Sequence, residues 1–291
     1  MSFDRWQCAW PRTWPYAVFK KHHTELNDLY WSQAAAANHA MATVGATHGT
    51  DDLTAILKIP PANARRIASS AQKWQSQFKE SQNWIRLNAL VALCGYLETY
   101  IHAVGTLALT SDPGVLISSP RAVDGLSLVK REALPDLSEH ITGLTKGAWS
   151  DRVRKYRSLF GTVPATLEKN VSELDAIRKL RNGVGHSFGR LIHEYRSPLL
   201  LKPLPVQRLA EERLQRWLGV VDDCVSAIED HLRSAHIGAV EGLLNYHAWD
   251  KTFYAGHTSE EKAFRAQFPD AQGSPPSAKY FRSLIAYFRS A

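Results

Sequence analysis

The sequence predicts an all-α protein: an antiparallel helical bundle over residues 83–235, with helical extensions over 1–82 and 236–291. Three observations predict it. Apolar residues recur every three or four positions through the long segments. No segment alternates apolar and polar residues over a useful strand length. Stop signals at Pro60-Pro61, Ser111-Asp112-Pro113-Gly114 and Gly161 punctuate the periodic runs. At 291 residues the chain is long enough to bury a sizeable core, and 44% hydrophobic against 22% charged residues excludes a chain disordered throughout.

Residues 1–24 read as irregular, aromatic and basic, with Pro11 and Pro15 precluding a long helix there. Helices are expected at about 25–45 and 61–82, separated by Pro60-Pro61. The strongest is expected from about Asn83 to Thr110, where Leu87, Leu90, Cys94, Leu97, Ile101 and Val104 share a face, and Ser111-Asp112-Pro113-Gly114 stops it. Short helical pieces then run to Trp149. Ser150 reads as the cap of a basic helix from Asp151 to Phe160, ended by Gly161. Pro164 opens another helix, with Leu167, Val171, Leu174, Ile177 and Leu180 on its face. It runs into Arg181-Asn182-Gly183-Val184-Gly185-His186, where two glycines predict a helix end, a kink or a close backbone approach. Residues 190–204 read as extended or looped, and 206–235 as a long helix on Leu214, Trp217, Val221, Val225, Ile228 and Leu232. Beyond Gly238 a short helix is expected near 259–268, then a flexible QGSPPS stretch, then an amphipathic end with Phe281, Leu284, Ile285 and Phe288 on one edge.

Several chemistries are excluded by residue type and spacing. Cys8, Cys94 and Cys224 are odd in number and far apart, which argues against a disulfide framework or a thiolate zinc site. Phosphate-binding and dinucleotide glycine loops, HExxH, GxSxG and the EF-hand are all missing, so no cofactor is expected. The twelve histidines are scattered. His22 and His23 do not share a helix face, and Glu98 with His102, four apart, reads more readily as an intrahelical pair than as a metal site. The first residues lack an apolar leader run, and the most apolar stretch, Leu87 to Leu109, carries Asn88, Glu98 and His102. It reads as a core helix, so no membrane association and a cytoplasmic location are expected.

The formal charge is +7, which favours acidic partners, nucleic acid first. Between Arg152 and Arg196 ten basic residues face four acidic ones, a net +6. Arg152, Arg154, Lys155, Arg157, Arg178, Lys179 and Arg190 are therefore the expected RNA-binding residues. The bland reading is a solvated helix face. The aromatics Trp6, Trp10, Trp14, Tyr16 and Trp31, set among Arg5, Arg12, Lys20 and Lys21, suit either base stacking or a packing strap across a dimer.

One constellation within that basic tract carries chemistry. With 21 Arg and 12 His in the chain, an Arg with a His five residues on is expected about once by chance. The bare spacing therefore proves little, and the ordinary alternatives are a helix-terminal Arg and a capping or core His. The context adds specificity: Asn182 follows Arg181 directly, and the pair ends one amphipathic helix between two others. The residue types suit RNA cleavage, because RNA supplies its own nucleophile in the 2′-OH. A His can move the proton, an always-charged forked Arg can hold the phosphate, and Asn182 can bond phosphate or orient the His.

The stretch SELDAIRKLRNGVGHSFGR resembles the signature of the HEPN superfamily: Arg, a polar residue, a short spacer, then His. LNALVALCGYLETYIHAV is similar to the helix that pairs with it. The resemblance covers about residues 83–235, with Gly185 where Ala is more usual. It implies a helical bundle, dimeric, whose two motifs meet at the interface. It also implies metal-independent endoribonuclease activity, in toxin–antitoxin or anti-phage defence systems that supply an antitoxin or other partner protein. Arg181, Asn182 and His186 are the implied catalytic residues, with Glu98 as a possible further member. Catalytically silent members that bind nucleotide, nucleic acid or protein are the alternative.

Overall fold

The computed structural model describes residues 3–46, 52–187, 205–249, 259–268 and 276–291. Every regular element among them is helical. In chain order they are α1 (Trp14–Gly45), α2 (Leu53–Ile56), a 3₁₀ turn (Pro61–Arg66), α3 (Ala71–Ser111), a 3₁₀ turn (Pro113–Ile117), α4 (Gly125–Lys130), α5 (Ser138–Thr145), α6 (Trp149–Phe160), α7 (Ala165–Lys169), α8 (Val171–Ser187), α9 (Glu211–Leu232), a π-helical turn (Arg233–Ile237), α10 (Val240–Ala248), α11 (Glu260–Arg265) and α12 (Ala278–Ser290).

The all-α class holds, and the boundaries show where local signals yielded to context. Helix α1 begins at Trp14 and takes in residues read as irregular, because Pro15 lies in the first turn, where a missing N–H costs nothing. The helix expected at 61–82 starts as a 3₁₀ turn over Pro61–Arg66, and from Ala71 it is continuous with the one expected at 83–110, as α3. Asn83, at the expected start, is buried and spends its side chain on a neighbouring segment: it donates to the Gln207 carbonyl at 3.0 Å and accepts from Leu209 N–H at 2.9 Å. Helix α6 starts at Trp149 after Ala148, so Ser150 lies inside the helix instead of capping it, while Gly161 ends it at φ +77° as expected. The expectation for residues 190–204 lies outside the described residues, as do Arg190 and Arg196.

The chain folds into two compact units that do not follow the linear thirds of the sequence. One comprises residues 1–21, 96–175 and 220–291, and the other residues 22–95 and 176–219. The expected C-terminal appendage and the first 21 residues therefore belong to the same unit as the middle of the chain.

In the first unit the core forms around Tyr100, Val104, Leu126, Ile228 and Leu232, all buried. An aromatic cluster joins Trp10 to Tyr246, Phe264, Phe281 and Leu284. Trp10 packs within this unit: it is 7% exposed and meets Phe281 edge-on at 6.1 Å. Trp6 lies under two guanidinium groups, Arg5 at 4.5 Å and Arg121 at 5.1 Å. Backbone accommodates the strap at Gly238, whose φ is +56°. A Cβ there would fall 2.4 Å from the Arg5 carbonyl oxygen, which accepts from Ala239 N–H at 2.9 Å. Gly238→Ala is expected to destabilise by about 3 kcal/mol or more, since it adds a clash with backbone to an unfavourable φ. Urea unfolding checks this, and a loss below about 1 kcal/mol would refute the strap geometry.

In the second unit Tyr30, Leu87, Leu90, Leu214 and Trp217 are buried. Polar ties hold its pieces together. Tyr30 donates to Glu211 at 2.8 Å, and Arg86 Nε donates to the Leu209 carbonyl at 2.6 Å. Arg208 pairs with Glu80. Arg213 lies 4.4 Å from the Trp217 ring.

Candidate functional site

Helix α8 carries the Arg-Asn-x3-His motif, and it stays α-helical through both glycines to Ser187. Gly183 is buried, whereas at Gly185 an added Cβ would meet nothing within 4 Å among the described residues. A continuous helix fixes the angles around its axis. Asn182 and His186, four apart, share a face, while Arg181 and His186, five apart, point about 140° away from each other. His186 is exposed; Arg181 and Asn182 are half-buried. Arg181 Nη1 donates to Asn182 Oδ1 at 3.1 Å, which steers the guanidinium toward the Asn182 side and occupies the Asn182 oxygen, its amide nitrogen remaining a donor group.

The other expected site residues sort differently. Glu98 and Arg152 both lie in the first unit and meet at 3.5 Å. Arg152 is 4% exposed, donates to the Gly147 carbonyl at 3.2 Å and lies 4.8 Å from the Trp149 ring. It is a packing residue, which corrects its assignment to an RNA-binding surface. On the same helix Arg154 pairs with Asp151 at 2.7 Å and Arg157 with Glu168, so two exposed cations are locally balanced. Lys155 lays its stem against Gly143. Arg178 is half-buried and Lys179 exposed on α8, in the motif's own unit.

Two polar clusters in the first unit were invisible in the sequence. The π-helical turn adds a residue to one helical turn and brings His231 and His236 within 5.8 Å. His236 lies 2.9 Å from Asp112, and His231 lies between the hydroxyls of Tyr156 at 2.7 Å and Thr162 at 3.0 Å. Burial, then the neighbouring His236, lowers the His231 pKa. The second cluster caps α1. Glu229 accepts from Thr13 N–H at 2.6 Å, Thr13 O–H at 2.8 Å and Tyr100 O–H at 3.2 Å, and Glu241 accepts from Trp14 N–H at 2.9 Å. Burial raises both carboxyl pKa values, Glu241 to about 8 with Glu229 adding to the effect.

A carboxyl raised in the folded state binds a proton that the unfolded chain has released. Its stabilisation is full below the ordinary pKa near 4.5 and disappears as pH rises toward 8. His231 acts in the opposite sense, with stability lost as pH falls below 6.5. The window from pH 7 to 8 lies above the His231 range, and the difference between the natural protein and Glu241→Gln separates Glu241 from Glu229, whose carboxyl is also raised. Glu241 is expected to lower stability there by about 1 kcal/mol, and Glu241→Gln is expected to flatten the slope. Urea titrations at the two pH values test this; an equal slope in both proteins would overturn it.

Among the described residues no group of three or more His, Cys, Asp or Glu side chains is arranged to hold a metal ion. Among the described residues one helix, α3, is long and apolar enough to cross a membrane by length and composition, and 44% of its most apolar window is buried inside the structure. Comparison with protein-family models, with curated proteins and with solved structures found no match.

Proposed function

We propose that this chain is a metal-independent endoribonuclease of the HEPN type, acting as a toxin or anti-phage effector. The carrying observation is the motif's presentation: His186 stands exposed one turn from Asn182, whose oxygen holds the Arg181 guanidinium. In this reading His186 moves the proton of the 2′-OH or of the leaving 5′-oxygen. Arg181 and Asn182 hold the scissile phosphate and the charge that develops on it. The products are a 2′,3′-cyclic phosphate and a 5′-OH, and no metal is assigned because the substrate brings its own nucleophile.

The helix geometry favours a homodimer. Within one helix Arg181 and His186 diverge, and pairing two motifs across a twofold axis supplies each phosphate with both groups. Activity of this kind requires restraint in the cell, which an antitoxin or another defence-system protein would provide. The test is cleavage of a labelled RNA by the natural protein and by His186→Ala in EDTA, with binding measured in parallel and the oligomeric state read by sedimentation. Binding without cleavage in the natural protein would favour a catalytically silent binding module instead.

A further inference from the structure

The basic excess of this chain is distributed unevenly. Residues 22–95 and 176–219 hold 15 basic and 8 acidic residues, a net +7 equal to that of the whole chain. The other unit holds 20 of each and is neutral. The net +6 between Arg152 and Arg196 cut across the two units, which is why it pointed to α6.

Within the charged unit one segment stands out. From Leu53 to Lys79 there is no Asp or Glu, while Lys58, Arg65, Arg66, Lys73 and Lys79 are all exposed. Aromatic residues are interleaved: Trp74 and Phe78 stack at 4.6 Å on the first turns of α3, and Trp84 follows, 51% exposed. The exposed large hydrophobic residues include two tryptophans, Trp31 and Trp84, and both lie in this unit. Lys73 and Trp84 are eleven residues apart on α3, three turns plus about 20°, so they share one face at about 16 Å along the axis, and Glu80, which lies between them on that face, is paired with Arg208. Arg65 and Arg66 precede that face on the 3₁₀ turn. Exposed cations close in sequence to an exposed indole suit a flexible polyanion with accessible bases. Phosphates meet the basic side chains and a base stacks on the ring, whereas a duplex hides its base faces.

We infer that residues 58–84 form a binding surface for single-stranded RNA, with Arg65, Arg66 and Lys73 on phosphates and Trp84 stacked on a base. The choice of RNA rests on the nuclease reading above; the surface stands on its own charge and exposed ring. Lys58 and Lys79 add to the positive charge of the segment.

The test uses the full chain carrying His186→Ala and a labelled single-stranded 2′-O-methyl RNA, so that cleavage cannot deplete the ligand. Anisotropy titrations run across a salt series. Arg65→Ala with Arg66→Ala is expected to reduce the slope of log affinity against log salt by about 1.4. Trp84→Ala is expected to weaken single-strand binding about 5- to 150-fold, with Trp84→Phe recovering most of it and duplex RNA of the same sequence unaffected by either. All three side chains are exposed, so unchanged thermal unfolding is expected of each variant. The inference is overturned if the parent binds no single strand, if the variants bind as the parent does, or if Trp84→Ala weakens duplex binding equally. Variants that bind normally beside an active natural enzyme remove this surface and leave the nuclease. Variants that lose binding beside a natural protein that cuts nothing remove the nuclease and leave the surface.

Discussion

His186→Ala is expected to slow RNA cleavage by about 10²- to 10⁴-fold while RNA affinity changes little, since proton transfer in the transition state is the contribution lost. The side chain is exposed, so unfolding should be unchanged and the loss can be read as chemistry. Arg181→Ala should differ, weakening binding and cleavage together, because the guanidinium contacts phosphate in both ground and transition states. Arg181→Lys should rescue little: a point charge cannot reproduce the fork that Asn182 holds at 3.1 Å. Asn182→Ala leaves the charge and frees its direction, so a smaller loss is expected. EDTA should leave the natural enzyme unaffected. The reading fails if His186→Ala cuts as fast as the natural protein, or if EDTA stops cleavage. It also fails if products carry a 3′-OH, because attack by the neighbouring 2′-OH leaves the phosphate on the 3′ side.

Much of the fold was legible because period and punctuation are local. The stripe Leu214, Trp217, Val221, Val225, Ile228 and Leu232 predicted α9, and all six are buried. Phe281, Leu284 and Ile285 predicted the buried face of α12. What was not legible depends on partners distant in sequence. Asn83 reads as a helix start until Gln207 and Leu209 are placed beside it. Arg152 reads as one more surface cation until Glu98, 54 residues earlier, and Gly147 surround it. The motif itself was legible as residue types, but its angles were not, because two glycines made a break as plausible as the continuous helix that forms. The acid-free stretch ending at Lys79 was visible in the sequence, yet its significance depended on a division into units that brings residues 176–219 together with 22–95.

Arg5→Met is expected to cost about 3–5 kcal/mol of stability, the largest structural effect among these substitutions, because it removes one partner from a buried polar network and leaves the others behind. Arg5 is 5% exposed. Its Nε donates to Asp124 Oδ1 at 3.0 Å, Nη1 to the Ile237 carbonyl at 3.1 Å, and Nη2 to the Ser111 carbonyl at 3.2 Å and hydroxyl at 2.9 Å. One planar group thus ties the N-terminal strap to the end of α3, the end of the π-helical turn and the cap of α4. Methionine keeps most of the stem and its contact with Trp6, so the loss reports the guanidinium rather than a cavity. Asp124 retains Leu126 N–H at 3.1 Å and Tyr287 O–H at 2.6 Å, which limits the damage on that side. The Ser111 carbonyl loses the donor that the guanidinium supplied, and the Ile237 carbonyl keeps only Ser111 O–H at 2.8 Å. Arg5→Lys should recover only part, since one ammonium cannot span acceptors on three elements. Urea unfolding of the three proteins decides it. A loss below about 1 kcal/mol for Arg5→Met, or full recovery by Lys, would mean that the strap is held by its aromatic residues alone.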